Sequence, residues 1–203
     1  MIALAVFLGN TGSQYARNRH NAGWMLAEAL PFAGDLGWEK KHKGLFARRG
    51  GLSFLKPLTF MNRSGESALA AASFLKIKPQ EIIVAHDEIE LPLGFVSLKF
   101  SGGLGGHNGL RSMKASFGTA DFWRLRVGVG RPDGREPGKG GSPESAARAG
   151  IAQWVLSDFD PEEKDALEPA LRAGALALSR AFEEGPEKLL PEWAKKNCLQ
   201  SDL

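Results

Sequence analysis

The stretch Ile2-Ala3-Leu4-Ala5-Val6-Phe7-Leu8, followed by Gly9-Asn10-Thr11-Gly12, decides the fold. Seven consecutive apolar residues are typical of a strand that is buried under helices on both of its faces. The glycine-containing segment after them predicts a turn. Ligands bind at the carboxyl ends of strands in open α/β sheets, so Asn10 is expected at a functional site.

A second buried strand is expected at Glu81-Ile82-Ile83-Val84-Ala85, and it leads directly into His86-Asp87-Glu88. An acidic group therefore also follows the carboxyl end of a buried strand. Because side chains alternate along a strand, Asp87 is expected to face away from His86 and Glu88. Taken alone, Asp87 fits a turn or capping residue equally well.

The segments between and after these strands alternate between helical and extended patterns. Between the two buried strands, the expected elements are a helix capped by Asn21 and reaching Leu30, a hairpin of Leu45–Arg49 and Leu52–Leu58 around Gly50-Gly51, and a helix containing Ala68 to Leu75. After the second strand, they are a strand from Val96 to Phe100, a short helix from Leu110 to Phe117 and a strand from Trp123 to Pro132. This alternation, with one hairpin, predicts a single α/β domain over residues 1–203 with a mixed β-sheet flanked by helices.

The last third of the chain contains a loop pattern and a helix pattern. Residues 134–150 are rich in glycine, proline, serine and charge, which predicts a flexible loop. Asp160-Pro161-Glu162-Glu163 combines an N-cap residue, proline at the first helical position and an acid at the third. It predicts the start of the longest helix, at about 161–184, after which a short helix and a frayed tail are expected.

The composition limits the class of protein. The chain has 203 residues with 26 basic and 23 acidic side chains, and this balance permits a nucleic-acid partner without requiring one. The single cysteine, Cys198, excludes a disulfide framework and indicates a reducing compartment. The apolar run at the N-terminus is too short for a signal peptide or a membrane span. We therefore expect a cytoplasmic protein without membrane association.

A glycine-rich stretch runs from Ser101 to Leu110 and contains Gly102-Gly103-Leu104-Gly105-Gly106. Glycine lets a ligand approach the backbone closely, and the helix that follows offers free N–H groups at its start. His107 and Asn108 lie at this junction. The stretch matches neither of the two common phosphate-binding patterns, so a mobile surface loop is the alternative.

Few side chains remain for catalysis. The four histidines are not spaced as metal ligands, and no G-x-S-x-G motif indicates a serine nucleophile. A histidine held by a carboxylate such as Asp87 can take a proton from water at neutral pH, and asparagine amides can donate to a developing oxyanion. The set His20, Asp87, Asn10, Asn62 and Asn108 fits hydrolysis of an ester or amide. The alternatives are a surface histidine and a helix cap at Asn62 or Ser64.

Motifs along nearly the whole chain resemble, in the same order, those of the bacterial peptidyl-tRNA hydrolase family. They are Gly9-Asn10-Thr11-Gly12 with Tyr15, Arg19-His20-Asn21-Ala22-Gly23, Thr59-Phe60-Met61-Asn62-Arg63-Ser64-Gly65, His86-Asp87-Glu88, Gly102 to Gly109, and Arg124 to Pro132. The resemblance implies a monomeric α/β protein with a twisted mixed sheet and no metal or other cofactor. It also implies hydrolysis of the ester that joins a peptide to the 3′ end of tRNA.

The resemblance further implies a role for each matching residue. His20 is expected to be the general base, Asp87 to hold its basic form, and Asn10 to recognise the blocked amino group of the substrate. His107 is expected to support the site or to contact the substrate. Contacts with the end of peptidyl-tRNA are expected from Tyr15, Phe60, Asn62 and Asn108, a wall from Met61, and a clamp on the terminal tRNA phosphate from Lys99 and Arg126.

Two features depart from the family pattern, and two other functions are alternatives. Thr11 stands where the family has proline, so the turn that holds Asn10 is expected to be less rigid. Residues 134–150 form a longer stretch than usual before the region that covers the peptide channel. The alternatives are a non-catalytic RNA-binding relative of the splicing-factor type and a small-molecule esterase or peptidase.

Overall fold

The structure is a computed structural model that describes residues 1–132 and 144–199. The strands in this part of the chain are β1 (Leu4–Phe7), β2 (Glu39–Lys41), β3 (Gly44–Arg49), β4 (Leu52–Pro57), β5 (Ile82–Glu88), β6 (Phe95–Phe100), β7 (Trp123–Gly128) and β8 (Lys196–Asn197). The α-helices are α1 (Ala22–Glu28), α2 (Ser64–Leu75), α3 (Asn108–Phe117), α4 (Glu144–Val155), α5 (Lys164–Glu184) and α6 (Pro186–Trp193). Short 3-10 turns at Arg19–Asn21 and Met61–Arg63 precede α1 and α2.

All of these strands belong to one mixed sheet with the order β2-β3-β4-β1-β5-β7-β6-β8. The four central strands, β4, β1, β5 and β7, are parallel, and the outer strands are antiparallel to their neighbours. The chain leaves β1 toward β4 and later crosses over β1 to β5. The carboxyl ends of β1 and β5 therefore form a topological switch point, where α/β sheets bind their ligands.

Helices cover both faces of the sheet, as the apolar sequence of β1 predicts. Ala5 and Phe7 belong to the core cluster that includes residues of α1, α5 and α6. Leu4 and Val6 belong to the opposite cluster, which includes residues of α2 and α3. All four residues are at most 1% exposed. The three-layer arrangement and the single α/β domain confirm the predicted fold class.

Gly23 lets α1 approach the ends of β1 and β5 closely. A Cβ atom at this position would lie 2.5 Å from the carbonyl oxygens of both Leu8 and Ala85. Such a contact is impossible without moving the backbone, so only glycine fits here. This close approach holds the 3-10 turn that carries His20 next to the end of β5.

Local sequence patterns predicted several elements correctly. The hairpin around Gly50-Gly51 is β3 and β4, and Gly118 ends α3 in the left-handed conformation with φ 71°. The predicted capping residues precede α5, where the backbone N–H of Asp160 donates to Glu163 Oε2 at 2.8 Å. The prediction of a cap for α2 was wrong, because Ser64 Oγ instead donates to the carbonyl oxygen of Met61 at 2.9 Å and Asn62 makes no side-chain cap.

The expected loop at 134–150 differs from the structure at its end. Helix α4 begins at Glu144, so residues 144–150 are helical. The sequence Glu144-Ser145-Ala146-Ala147-Arg148-Ala149 consists mostly of good helix formers, and the glycines and prolines that dominated the prediction lie before it. Residues 134–143 lie outside the described part of the chain.

The expected frayed tail was also wrong as far as Leu199. Strand β8 pairs with β6 through Phe95 and Val96, and Cys198 N–H donates to Gly94 O at 2.9 Å. Cys198 is buried, and burial raises the pKa of its thiol. Within the described residues, no helix is both long and apolar enough to span a membrane.

Candidate active site

Four segments bring polar side chains together at the switch point. Asn10 follows β1, and His20 lies in the 3-10 turn before α1. Asp87 is the penultimate residue of β5, and His107 is the N-cap of α3. They come from sequence positions up to 97 residues apart, so only the fold places them in one site. His20 and Asp87 are buried, whereas Asn10 and His107 are half-buried.

Asp87 lies between two histidines. Its Oδ1 is 2.8 Å from His20 Nδ1 and 2.9 Å from His107 Nε2. His107 Nδ1 accepts hydrogen bonds from the backbone N–H groups of Gly109 at 3.0 Å and Leu110 at 3.4 Å. Because Nδ1 accepts, the proton of a neutral His107 lies on Nε2 and is donated to Asp87. His107 therefore supports Asp87 and caps α3, and it also lines a cleft beside His20.

The same geometry fixes the tautomer of His20. Asp87 is a carboxylate that only accepts, so His20 donates from Nδ1 and its Nε2 carries a free lone pair. His20 keeps 11% of its side chain exposed, and it lines the clefts described below. A neutral His20 can thus take a proton at Nε2 from a molecule bound beside it.

The charges in this group shift the pKa values in opposite directions. Burial alone would raise the pKa of Asp87, but the nearby charges of His20 and His107 and their hydrogen bonds lower it well below its ordinary value. Burial alone would lower the pKa of His20, but the charge and hydrogen bond of Asp87 outweigh burial and raise it above 6.5. Asp87 is therefore ionised at neutral pH, and it strengthens His20 as a base.

His86 has a different state from His20 although both are next to Asp87. Its Nδ1 lies 2.6 Å from the carbonyl oxygen of Asp87, so it contacts the main chain and not the carboxylate. Burial, followed by the neighbouring His107, lowers the pKa of His86 to about 3. His86 is therefore neutral throughout the working range of pH, and the predicted alternation of side chains along β5 separates it from the charge of Asp87.

Asn21 holds the turn that carries Asn10. The backbone N–H of Asn10 donates to Asn21 Oδ1 at 2.8 Å, and Asn21 Nδ2 donates back to Asn10 O at 3.0 Å. Asn21 stands at the predicted N-cap position of α1, but its side chain makes this pair of bonds and no capping bond to the helix. The pair fixes the Asn10 peptide group in a turn where Thr11 replaces the proline of the family.

Arg19 is a supporting residue for which the sequence predicted no role. Its side chain is 1% exposed; Nη1 donates to Ser157 Oγ at 2.8 Å and Nη2 pairs with Glu163 Oε2 at 2.5 Å. The guanidinium also stacks 3.7 Å from the centre of the Trp154 ring. Arg19 therefore ties the turn that carries His20 to the segment between α4 and α5. No local signal reveals this, since the partners lie about 140 residues away.

Two clefts meet at His20. The first, which we call the α4 cleft, has a volume of about 580 Å³ and lies between the end of β5, the glycine-rich stretch and the C-terminal half of α4. The second, which we call the Asn10 cleft, has a volume of about 470 Å³. His20, Asn108, Ala152 and Val155 line both, so a substrate that occupies both clefts passes the free nitrogen of His20.

Most of the predicted substrate contacts line the Asn10 cleft. These are Asn10, Tyr15, Phe60, Met61, Asn62 and Asn108. Met61 is buried and forms part of the wall, whereas the Phe60 side chain is 75% exposed. Asn62 and Asn108 are exposed, and both line this cleft together with His20.

The two predicted phosphate ligands lie outside both clefts. Lys99 is exposed near the end of β6, and Arg126 lies on the adjacent strand β7. Arg126 Nη2 donates to Ser97 Oγ at 2.6 Å, and Nη1 lies 3.4 Å from Glu88 Oε2. Arg126 therefore already has partners within the protein. A third cation, Arg124, holds the glycine-rich stretch by donating to Gly102 O at 2.7 Å and Gly103 O at 2.6 Å.

Among the described residues, His20, Asp87 and His107 form the group that could hold a metal ion, since their ligand atoms lie within 4.8 Å of one another. However, both histidine nitrogens carry protons that point at Asp87. A metal would have to replace both hydrogen bonds, and His107 could not move its proton to Nδ1 without losing its bonds to the start of α3. The arrangement fits a proton-transfer site better than a metal site.

The profile of the peptidyl-tRNA hydrolase family matches residues 4–200. The chain belongs to the peptidyl-tRNA hydrolase family. Among the curated proteins, the peptidyl-tRNA hydrolase of Treponema pallidum is 45% identical, with 98% of this chain and 97% of that protein covered. The peptidyl-tRNA hydrolase of Desulfitobacterium hafniense is 42% identical over 90% of this chain and 94% of its own length.

Solved structures of peptidyl-tRNA hydrolases share the fold. The enzyme from Acinetobacter baumannii is 31% identical and superimposes with a TM-score of 0.75, with 98% of this chain and 95% of that chain covered. A peptidyl-tRNA hydrolase in complex with N-propanol is 30% identical, with a TM-score of 0.78 and the same coverage. The family, the fold and the hydrolase class expected from the sequence are thus confirmed.

Proposed function

We propose that this protein hydrolyses the ester bond between the peptide and the 3′ end of tRNA in peptidyl-tRNA, with His20 as the general base. The observation that carries the proposal is the 2.8 Å contact between His20 Nδ1 and Asp87 Oδ1, which leaves His20 Nε2 free at the junction of two clefts. A base must lie within reach of bound water, and this junction provides that position.

The proton transfers balance in two steps. In the first, His20 Nε2 takes a proton from water while the water oxygen attacks the ester carbonyl carbon, which gives a tetrahedral oxyanion. In the second, the oxyanion collapses, the bond to the 3′ oxygen of tRNA breaks, and the protonated His20 returns its proton to that oxygen. Asp87 stabilises the charged His20 between the steps, and the amides of Asn62 and Asn108 are placed to donate to the oxyanion.

Asn10 is proposed to recognise the blocked amino group of the substrate. Its main chain is held by Asn21, and its side-chain amide makes no hydrogen bond with any residue in the described ranges. A side-chain amide on a fixed main chain, with two donors and an acceptor, suits a peptide group, which offers both an N–H and a carbonyl oxygen. A free ammonium group offers only donors, so an unblocked aminoacyl-tRNA would satisfy the amide less well.

Lys99 and Arg126 are proposed to bind the terminal phosphate of tRNA. The register places Ser97 opposite Arg126 and Lys99 two residues further along β6, so both cations are on adjacent strands. Phosphate contacts position a nucleic acid without reading its sequence, as a general tRNA hydrolase requires.

We also propose that the protein is a monomer and acts in the cytoplasm, where peptidyl-tRNA is produced. Size-exclusion chromatography tests the monomer.

Hydrolysis of N-acetyl-aminoacyl-tRNA beside unblocked aminoacyl-tRNA tests the proposal, with wild type, His20→Ala and the control Lys188→Ala, which changes an exposed residue of α6. Wild type and the control should cleave only the blocked substrate, and His20→Ala should lose roughly 10²- to 10⁴-fold in kcat. Binding of RNA without cleavage by folded wild type would favour the RNA-binding alternative. Rapid cleavage of simple esters, with no preference for tRNA, would favour the small-molecule esterase.

A further inference from the structure

A third cleft opens beside the Asn10 cleft and is not used by the mechanism above. It has a volume of about 620 Å³ and lies between the β2–β3 turn and the start of α2. Thr11, Thr59 and Phe60 line it together with the Asn10 cleft, so the two are continuous. We call it the lysine cleft, because its remaining lining includes Lys40, Lys41, His42, Lys43, Arg63 and Glu66.

The lysine cleft is strongly cationic. Four permanently charged cations and one carboxylate line it. Glu66 is shared by two of the cations, since it lies 3.0 Å from Lys43 Nζ and accepts two bonds from Arg63 at 2.6 and 3.0 Å. Lys41 pairs with Glu39 at 2.6 Å, and Lys40 has no ion pair with any residue that the structure describes. The cleft therefore keeps an excess of positive charge for a ligand.

The turn that presents these lysines is fixed in position. His42 and Lys43 both have positive φ, 54° and 56°, as a two-residue hairpin turn of type I′ requires. Ser67 Oγ donates to His42 O at 2.6 Å, and Leu58 N–H donates to Lys43 O at 3.0 Å. These bonds attach the turn to α2 and to the end of β4. The backbone that carries Lys40, Lys41 and Lys43 is therefore held in place before any ligand binds.

The turn also lies at the correct edge of the sheet. Gly44, the first residue of β3, pairs with Pro57, the last residue of β4. The β2–β3 turn is thus at the carboxyl edge of the parallel strands, the same edge as His20. The exposed ring of Phe60 stands where the lysine cleft joins the Asn10 cleft, and an exposed aromatic ring beside cations is typical of surfaces that bind single-stranded nucleic acid.

The charges of the clefts indicate where the peptide and the RNA parts of the substrate bind. The α4 cleft contains the carboxylates Asp87, Glu88 and Glu90 and the apolar side chains Leu104, Ile151 and Val155, together with the cations Arg111 and Arg131, of which Arg131 pairs with Glu90. Carboxylates repel a polyanion, and apolar walls suit a peptide. The lysine cleft keeps an excess of positive charge, so the nucleotides next to the ester are better placed there than in the α4 cleft.

We propose that the lysine cleft binds the sugar-phosphate backbone of the tRNA nucleotides that lead to the 3′ end, with Lys40 and Lys41 as phosphate ligands. This inference rests on the proposed function, because the ester at His20 sets which part of the tRNA reaches the cleft. It adds a second contact with the RNA, apart from the clamp of Lys99 and Arg126.

The test uses the charge-reversal variant Lys40→Glu/Lys41→Glu and the matched control Lys76→Glu/Lys78→Glu. The control changes the charge equally, at exposed residues between α2 and the start of β5, at the other edge of the sheet. With N-acetyl-aminoacyl-tRNA at low salt, the first variant should raise KM on the order of fivefold at unchanged kcat. The slope of log KM against log salt should become shallower by about 0.7 to 0.9 per lost phosphate contact. The control should change neither.

A minimal substrate, the N-acetyl-aminoacyl ester of adenosine, should show no difference between wild type and Lys40→Glu/Lys41→Glu. An equal rise in KM on this substrate, or an equal effect of the control variant, would overturn the inference. A rise that appears only with acidic peptides would assign the cleft to the peptide and would also overturn it. If wild type cleaves nothing, the proposed function fails, and a binding titration with uncharged tRNA still tests the cleft: unchanged affinity in Lys40→Glu/Lys41→Glu would contradict it.

Discussion

The group around Asp87 and the cation pair Lys99 and Arg126 differ in how far their contacts lie within the protein. Asp87 binds two protein side chains, and the tautomers of both histidines follow from those contacts. Lys99 points to solvent, and Arg126 is shared with Ser97 and Glu88. A role that depends on contacts within the protein can be derived from the structure, whereas a role that depends on a ligand needs that ligand. The comparison therefore predicts large effects on kcat at the first region and smaller effects on KM at the second.

The largest effect is expected for Asp87→Asn. An amide cannot stabilise a charged His20, and it can reverse the tautomer of the base. We expect kcat to fall by roughly 10²- to 10⁴-fold while KM changes less than about threefold. The control is Asp121→Asn, an equal change at an exposed aspartate that binds Ser101. An unchanged kcat in Asp87→Asn would remove Asp87 from the mechanism.

The next effect is the dependence of activity on pH. The pKa of His20 is raised above 6.5, and only the neutral form is a base, so kcat/KM should fall as the pH falls through that raised pKa. Below it, the decrease approaches about tenfold per pH unit for a single ionisation. In Asp87→Asn this decrease in kcat/KM should occur at lower pH, because the charge that raises the pKa of His20 is gone. A decrease at the same pH in the variant would contradict the role of Asp87 in raising that pKa.

A smaller effect is expected for His107→Gln. This change weakens the support of Asp87 and removes the imidazole that accepts from the backbone at the start of α3. We expect kcat to fall about fivefold and the free energy of unfolding to fall by about 1 kcal/mol. Kinetics and chemical denaturation measure the two effects separately. Loss of stability at unchanged kcat would show that His107 serves only as a helix cap.

The smallest effect is expected at the cation pair. Lys99→Ala should raise KM about threefold on a tRNA with a 5′ phosphate and leave kcat unchanged. Removal of that phosphate from the substrate should abolish the difference between variant and wild type. An equal rise in KM on both substrates would mean that Lys99 does not bind the terminal phosphate.

The sequence predicted the parts of the fold that depend on local patterns. The apolar run of β1, the Gly50-Gly51 hairpin and the capping residues before α5 each determine their element through residues that are close together in the sequence. Strand β8 could not be predicted, because two polar residues pair with a strand about 100 residues earlier. The start of α4 was missed because the glycine-rich stretch before it dominated the composition.

For the site, the sequence predicted the chemistry but not the contacts between the residues. The residue types indicated ester or amide hydrolysis, and the family resemblance assigned the roles, but spacing alone did not show that His20 and Asp87 meet. The structure places them in contact and adds residues with no local signal. Arg19 and Asn21 support the site through hydrogen bonds to other segments, and Asn21 was expected to cap a helix instead.

The most direct test of the account is a titration of His20 by nitrogen NMR on the folded wild-type protein. The structure predicts that neutral His20 carries its proton on Nδ1 and that its pKa lies above 6.5, with the pKa falling in Asp87→Asn. A His20 that carries its proton on Nε2, or whose pKa lies below 6.5 in the wild type, would contradict the claim that Asp87 prepares His20 as the base.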